Sequence, residues 1–136
     1  MADFNVEGID SLTIGFMRKA GALDEAISDC LNVGADLLVK AQKDQAESMK
    51  IHDTGDMINS IKATKQRKDK DGNPYVDIYP QGKDRKGTRN AEKGFIAEYG
   101  KSDQPARPWM RTANEKANDE VQNAICETFN EHMGNL

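Results

Sequence analysis

The chain has 136 residues and a formal net charge of −4, with 37% hydrophobic and 31% charged residues. This length is typical of a single domain over residues 1–136, and the acidic balance argues against a surface that binds nucleic acid all over. No apolar run approaches the roughly 20 residues of a membrane span. The small apolar fraction predicts a thin core, which favours a subunit that gains stability from neighbouring copies.

Charge is segregated along the chain. Residues 62–93 contain ten Lys or Arg and five Asp or Glu, a local charge of +5, so the remaining residues carry −9. This distribution favours head-to-tail electrostatic docking between copies or with partners. A basic, solvated hairpin is the alternative interpretation.

The first part of the chain predicts helices. Residues 1–8 are interpreted as a flexible arm, and a short helix is predicted over residues 9–17. Apolar residues then recur every three or four positions from Leu23 to Ala41. This spacing predicts a long amphipathic helix over residues 22–50, whose small residues allow another backbone to approach closely.

The period changes in the middle of the chain. Asp53 or Thr54 is a plausible cap for a short helical turn over residues 56–61. Two strand-like runs joined at Asp71-Gly72 then predict a β-hairpin. Residues 81–93, which contain no large hydrophobe, are interpreted as a mobile basic loop. Its candidate contact residues for a subunit, a partner or DNA are Lys83, Arg85, Lys86 and Arg89.

The last part of the chain contains the only tryptophan. Helical spacing is favoured for residues 94–99, with a third strand as the alternative. Gly100 permits a turn, and Pro108 suits the first turn of a helix predicted over residues 108–133. Trp109 is expected to pack this helix against whatever the aromatic side chains before Gly100 pack on.

These elements predict an α+β fold. The long N-terminal helix and the C-terminal helix are expected to pack on a small antiparallel sheet, formed by the β-hairpin and the candidate third strand. The exposed sheet edges would suit extension between neighbouring subunits. Cys30 and Cys126 both fall on apolar helix faces, so both are predicted to be buried in a reducing compartment.

The sequence shows no constellation that is typical of an enzyme. His52 and His132 are isolated, the carboxylates lack metal-ligand spacing, and the glycines are too far apart to cradle a phosphate. The sequence therefore predicts no catalytic residue, cofactor or metal. The basic loop could neutralise phosphates without reading sequence, but no aromatic side chain alternates with its cations.

Two stretches together resemble a family of tailed-bacteriophage structural proteins, the neck or tail components of the head–tail junction. Thr54-Gly55-Asp56-Met57-Ile58-Asn59-Ser60-Ile61 resembles the Thr-Gly-x-Leu-x-x-Ser-Ile element of that family. Phe95-Ile96-Ala97-Glu98-Tyr99-Gly100, followed by Pro105-Ala106-Arg107-Pro108-Trp109-Met110-Arg111-Thr112-Ala113, resembles its second signature. Trp109 stands where phenylalanine is usual, Thr112 replaces a proline, and the proline usually found just before Thr-Gly is absent.

The resemblance implies a structural subunit without catalysis. It forms a homo-oligomeric ring that connects the DNA-filled head to the tail tube of the virion, and it is assembled in the cytoplasm of the host bacterium. The implied partners are further copies, other neck and tail proteins, and DNA in the channel through non-specific contact, with no membrane. The alternatives are a tail-completion or terminator protein, and a small nucleic-acid-binding accessory protein that uses the basic hairpin and loop.

The two signatures supply the candidate structural and interface residues. Glu98 is expected to pair with Arg107 or Arg111 and so to fix the corner before the last helix. The full set is Thr54, Gly55, Ser60, Ile61, Phe95, Glu98, Tyr99, Gly100, Arg107, Pro108, Trp109 and Arg111.

Overall fold

The computed structural model describes residues 22–51 and 55–134. Within these residues the α+β prediction is confirmed. The arm over residues 1–8, the helix over residues 9–17 and the cap at residues 53–54 are predictions that lie outside the described residues. The helices are α1 (Ala22–Ser48), α2 (Asp56–Asn59), α3 (Asn90–Tyr99) and α4 (Trp109–Gly134), and the strands are β1 (Ile61–Ala63), β2 (Arg67–Lys68), β3 (Pro74–Tyr75) and β4 (Ile78–Pro80).

Helices α1 and α4 form the main layer and bury their apolar stripes against each other. Gly34 allows the close approach that the small residues of α1 predict, because a Cβ there would lie 3.1 Å from the Cδ1 atom of Ile125. The helices match the predicted ranges to within two residues at each end. The buried residues of this first cluster are Leu23, Ala26, Cys30, Leu38, Ala117, Val121, Ile125 and Phe129.

The predicted hairpin is present as two short antiparallel pairs, β1 with β4 and β2 with β3. Asp69 closes its turn, since its carboxylate accepts hydrogen bonds from the N–H groups of Asp71 and Asn73, both at 2.9 Å. Gly72 follows with φ +83°, a conformation that favours glycine. The Asp71-Gly72 signal therefore identified the turn correctly.

The hairpin covers one side of the α1–α4 layer. Ser28 of α1 donates a hydrogen bond to Gln66, between β1 and β2, at 2.7 Å, and Ile78 of β4 packs against both buried clusters. The second cluster joins the end of α1 to α2, β1, α3 and the start of α4. Its buried residues are Ala46, Ile51, Met57, Ile58, Ile61, Ala97 and Trp109.

Two sequence-based expectations are corrected by the structure. Residues 94–99 belong to helix α3, so the alternative of a third strand is excluded, and the predicted loop over residues 81–93 ends at residue 89. The prediction that Cys126 is buried is wrong. Cys126 comes one residue after the buried Ile125, which rotates its side chain by about 100° away from the buried stripe of α4.

Cys30 is buried, as predicted. Burial raises the pKa of its thiol to about 11, and the thiol lies 3.5 Å from the backbone carbonyl of Ile125. Because the thiolate is the reactive form of cysteine, Cys30 stays protonated and unreactive at neutral pH. It acts as a small core side chain.

Replacing Ile125 by alanine should lower the free energy of unfolding by about 2–5 kcal/mol, because the side chain leaves a cavity between α1 and α4. The matched control, Cys126→Ala, should change it by less than about 0.5 kcal/mol, because the neighbouring side chain is exposed. Urea unfolding followed by circular dichroism measures both. Equal losses for the two variants would contradict the assignment of the buried face.

Candidate interaction site at the corner between the last two helices

A carboxylate from α3 caps the start of α4. Glu98 is only 6% exposed, and its carboxylate accepts hydrogen bonds from the N–H groups of Met110 at 2.8 Å and Arg111 at 3.0 Å. The first N–H groups of a helix lack intrahelical partners and lie at the positive end of its dipole, so a buried carboxylate is stabilised there. The expected ion pair of Glu98 with Arg107 or Arg111 is not formed in the described structure, because the carboxylate faces the helix backbone instead.

Arg107 connects the corner to the end of α1. Its backbone N–H donates to the carbonyl of Ala97 at 2.7 Å, and its guanidinium donates to the carbonyl of Met49, one residue past α1. One side chain and one peptide group thereby hold the chain between α3 and α1 just before α4 begins.

Gly100 allows the chain to turn after α3. Its φ is +77°, and an added Cβ would lie 2.7 Å from the backbone nitrogen of Ala106 and 2.8 Å from the carbonyl oxygen of Gln104. A side chain at this position would therefore be strained and would also collide with the backbone. The turn that follows is closed by reciprocal backbone hydrogen bonds between Lys101 and Gln104.

Trp109 faces the chain's own core. It is fully buried, and its indole N–H donates to the carbonyl of Gly94 at 3.1 Å. Gly94 permits this approach, since a Cβ there would lie 3.0 Å from Pro80 and 3.3 Å from the Trp109 ring. Pro108 lies directly before α4, one residue outside the predicted helix start, and its carbonyl accepts from both the N–H and the hydroxyl of Thr112.

The two aromatic side chains of α3 face solvent. Phe95 is 44% exposed and Tyr99 is 75% exposed, and their ring centroids lie 6.4 Å apart. The expectation that Trp109 shares a packing surface with them is wrong, because Trp109 contacts the Gly94 side of the helix. Phe95 and Tyr99 instead line an open groove of about 950 Å³, which they share with residues of β4 and the first turns of α4.

The basic loop has an internal carboxylate of its own. Asp84 is buried and accepts hydrogen bonds from the N–H groups of Lys86 at 2.9 Å and Thr88 at 2.8 Å, and it pairs with the ammonium of Lys93. The hydrogen bond from Lys93, assisted by the two backbone N–H groups, holds the pKa of Asp84 below its ordinary value of 3.8. Part of the loop's positive charge is therefore neutralised from within, while its mobility stays a prediction.

Arg85 joins this loop to the first signature stretch. Its guanidinium and backbone N–H donate to the two carboxylate oxygens of Asp56 at 2.7–2.9 Å. Gly55 precedes Asp56 with φ +85°, and Thr54 lies outside the described residues. Downstream, the Ser60 hydroxyl donates to the carbonyl of Met57 at 2.6 Å, and Ile61 is buried in the second cluster.

The sequence of this corner carries a family match. Residues 14–101 match the family described as "Bacteriophage HK97-gp10, putative tail-component", which is more than half of the chain. The chain belongs to this tail-component family. No curated protein and no solved structure matches the chain.

The tail-component match spans the first signature stretch and all of α3, and it ends at residue 101, before Trp109. Membership places the chain among components of the phage virion that interact with other tail proteins. Among the described residues, no group of three or more His, Cys, Asp or Glu side chains could hold a metal ion, and no helix is long and apolar enough to cross a membrane.

Replacing Glu98 by alanine should lower the free energy of unfolding by about 1–3 kcal/mol, because two N–H groups at the start of α4 lose their acceptor in a buried place. Glu98→Gln should cost less, since one carbonyl oxygen remains to accept. Arg111→Gln is the control and should change stability by less than about 0.5 kcal/mol, because Arg111 is exposed and does not pair with Glu98. Losses of the same size for Glu98→Ala and Arg111→Gln, measured by urea unfolding, would restore the ion-pair interpretation.

Replacing Asp84 by asparagine should destabilise the protein at neutral pH and should reduce its acid sensitivity. The folded-state pKa of Asp84 lies below its value in the unfolded chain, so the carboxylate stabilises the fold above the ordinary pKa. That contribution disappears as the pH falls through the lowered pKa. The stability difference between wild type and Asp84→Asn should therefore shrink as the pH falls below about 4.

Unfolding free energies measured from pH 7 to pH 2.5 test this expectation. Asp103→Asn is the control, since the side chain of Asp103 is 77% exposed in a neighbouring turn, and it should have little effect at pH 7. A difference between wild type and Asp84→Asn that stays constant over the whole range would show that the charge of Asp84 is not what holds the loop.

Proposed function

We propose that this protein is a non-catalytic structural subunit that forms a homo-oligomeric ring at the head–tail junction of a tailed phage. The ring connects the DNA-filled head to the tail tube. The observation that carries this proposal is the tail-component match over residues 14–101, which contains both Gly55–Asp56 and the exposed aromatic face of α3. A face of this kind suits a subunit that contacts neighbours.

The charge distribution in the fold supports assembly from copies of one chain. Helices α1 and α4 together contain eleven Asp or Glu and four Lys or Arg, whereas residues 62–93, with their excess of five positive charges, form the hairpin, the basic loop and the start of α3. One chain therefore presents an acidic layer and a basic layer. Opposite charges on different faces favour head-to-tail contacts and disfavour like-to-like contacts.

The structure lends less support to a nucleic-acid-binding accessory protein. Arg85 is held by Asp56, and Lys93 is held by Asp84, so two of the cations near the loop are already paired with carboxylates. No aromatic side chain lies within residues 81–89 to stack on bases. Contact with DNA in the channel is therefore proposed only as an incidental, non-specific property of the ring.

Localisation in particles tests the proposed function. Heads from a tail-defective mutant of the encoding phage, and tails from a head-defective mutant, are purified separately and probed with an antibody against this protein. The junction proposal predicts several copies at the portal end of DNA-filled heads, or at the head-proximal end of free tails. The first result identifies a neck protein, and the second identifies a tail-completion or terminator protein.

The opposite result is equally clear. Protein distributed along the whole tail tube, or absent from both heads and tails, would overturn the proposed position. Removal of the gene supplies the matched control, because heads and tails should then accumulate unjoined, and joined particles without the protein would show that it does not connect them.

A further inference from the structure

The aromatic face of α3 has the composition of a contact site. Phe95 and Tyr99 are the exposed large hydrophobic side chains among the described residues, and they lie one helical turn apart. The exposed Arg89 and Arg111 line the same groove. Tyrosine and arginine, at the centre of an exposed aromatic patch, are the side chains that most often dominate binding energy in protein interfaces.

The other side of the α1–α4 layer is open. Ser28 and Ala46 of α1 face the hairpin and the second cluster. Leu37 is nine residues from each of them, which places it about 180° around the helix, on the side that the hairpin does not cover. There Val33, Leu37 and Ala124 are only partly buried, and they line an open groove of about 740 Å³ between α1 and α4.

This second groove is acidic where the aromatic face is basic. The charged residues that line it are Asp36, Glu120 and Glu127, with no Lys or Arg. Residues 81–108, which contain the aromatic face, include seven Lys or Arg and four Asp or Glu. An aromatic patch surrounded by cations is thus complementary to an apolar groove bordered by carboxylates.

The two surfaces share no residue and lie on opposite sides of the α1–α4 layer, because the aromatic groove is lined by Ile78 and Tyr79 of the hairpin. A contact between different surfaces of identical subunits is heterologous, and such contacts close into rings when the rotation between copies permits. A symmetric dimer would instead need a surface that complements itself.

We propose that Phe95 and Tyr99 of one copy dock into the groove formed by Val33, Leu37 and Ala124 of the next copy, with Arg89 facing the carboxylates at its border. This inference rests on the proposed ring and names the surfaces that build it. Residues 1–21 carry three acidic and two basic residues, so they lack the positive charge that this groove favours. A second copy is therefore the occupant that the charges select.

Two variants separate the two surfaces. Phe95→Ser/Tyr99→Ser removes the aromatic contact and leaves the groove intact, and Ala124→Glu fills the groove and leaves the aromatic contact intact. Should Ala124→Glu fail to fold, Glu120→Lys/Glu127→Lys reverses the groove charge through exposed side chains only. Cys126→Ser is the control, since Cys126 is exposed on α4 and does not line the groove.

Native mass of the full chain over a concentration series is the readout, with circular dichroism to verify folding. Wild type and the control should associate, and each interface variant alone should associate about 30-fold more weakly or worse. An equimolar mixture of the two variants should give a one-to-one dimer, because one intact contact remains and neither end can extend further.

Three results would overturn the proposal. Interface variants that assemble like wild type would show that other surfaces are used, and wild type that stays monomeric at the highest concentration would exclude a second copy as the occupant. An Ala124→Glu variant that loses stability but keeps its association would indicate that residues 1–21 of the same chain cover the groove. In each case the proposed function is decided separately by localisation in particles.

Discussion

The buried carboxylate of Glu98 at the start of α4 is the interaction on which the corner depends. A carboxylate removed from water needs several donors, and the otherwise unpaired N–H groups of Met110 and Arg111 supply them. This contact fixes which face of α3 points inward. Because Gly94, Ala97 and Glu98 are turned towards the core, Phe95 and Tyr99 must point outward. The same geometry that orders the interior therefore creates the exposed aromatic face.

The rest of the structure holds this corner in place. Trp109 fills the space between α3 and β4, and Arg107 links the corner to the end of α1 through the Met49 carbonyl. On the other side of the hairpin, Arg85 attaches the basic loop to α2 through Asp56. These contacts join separate stretches of the chain into a basic layer beside the acidic α1–α4 layer, and that separation of charge is what head-to-tail association requires.

Much of this fold could be predicted from the sequence, and the failures have a common cause. Helices α1 and α4 are long enough for a three-to-four-residue period to be unambiguous, and Asp71-Gly72 identifies the hairpin turn. Helix α3 has only ten residues, and its buried face carries glycine, alanine and a carboxylate while its aromatic residues face water. Hydrophobicity alone therefore indicates the wrong face. The Glu98 cap depends on the approach of two helices, which no local pattern encodes, so an ion pair with a nearby arginine was the natural but mistaken expectation.

Hydrogen exchange at the first residues of α4 tests the central claim most directly. The N–H groups in the first turn of a helix normally exchange quickly, since they lack intrahelical partners. Capping by Glu98 predicts that the amide protons of Met110 and Arg111, followed by NMR in the full-length protein, exchange as slowly as those in the interior of α4. Exchange at Met110 and Arg111 as fast as at the exposed turn residues Ser102 and Asp103 would contradict the buried cap, and with it the account of why Phe95 and Tyr99 face outward.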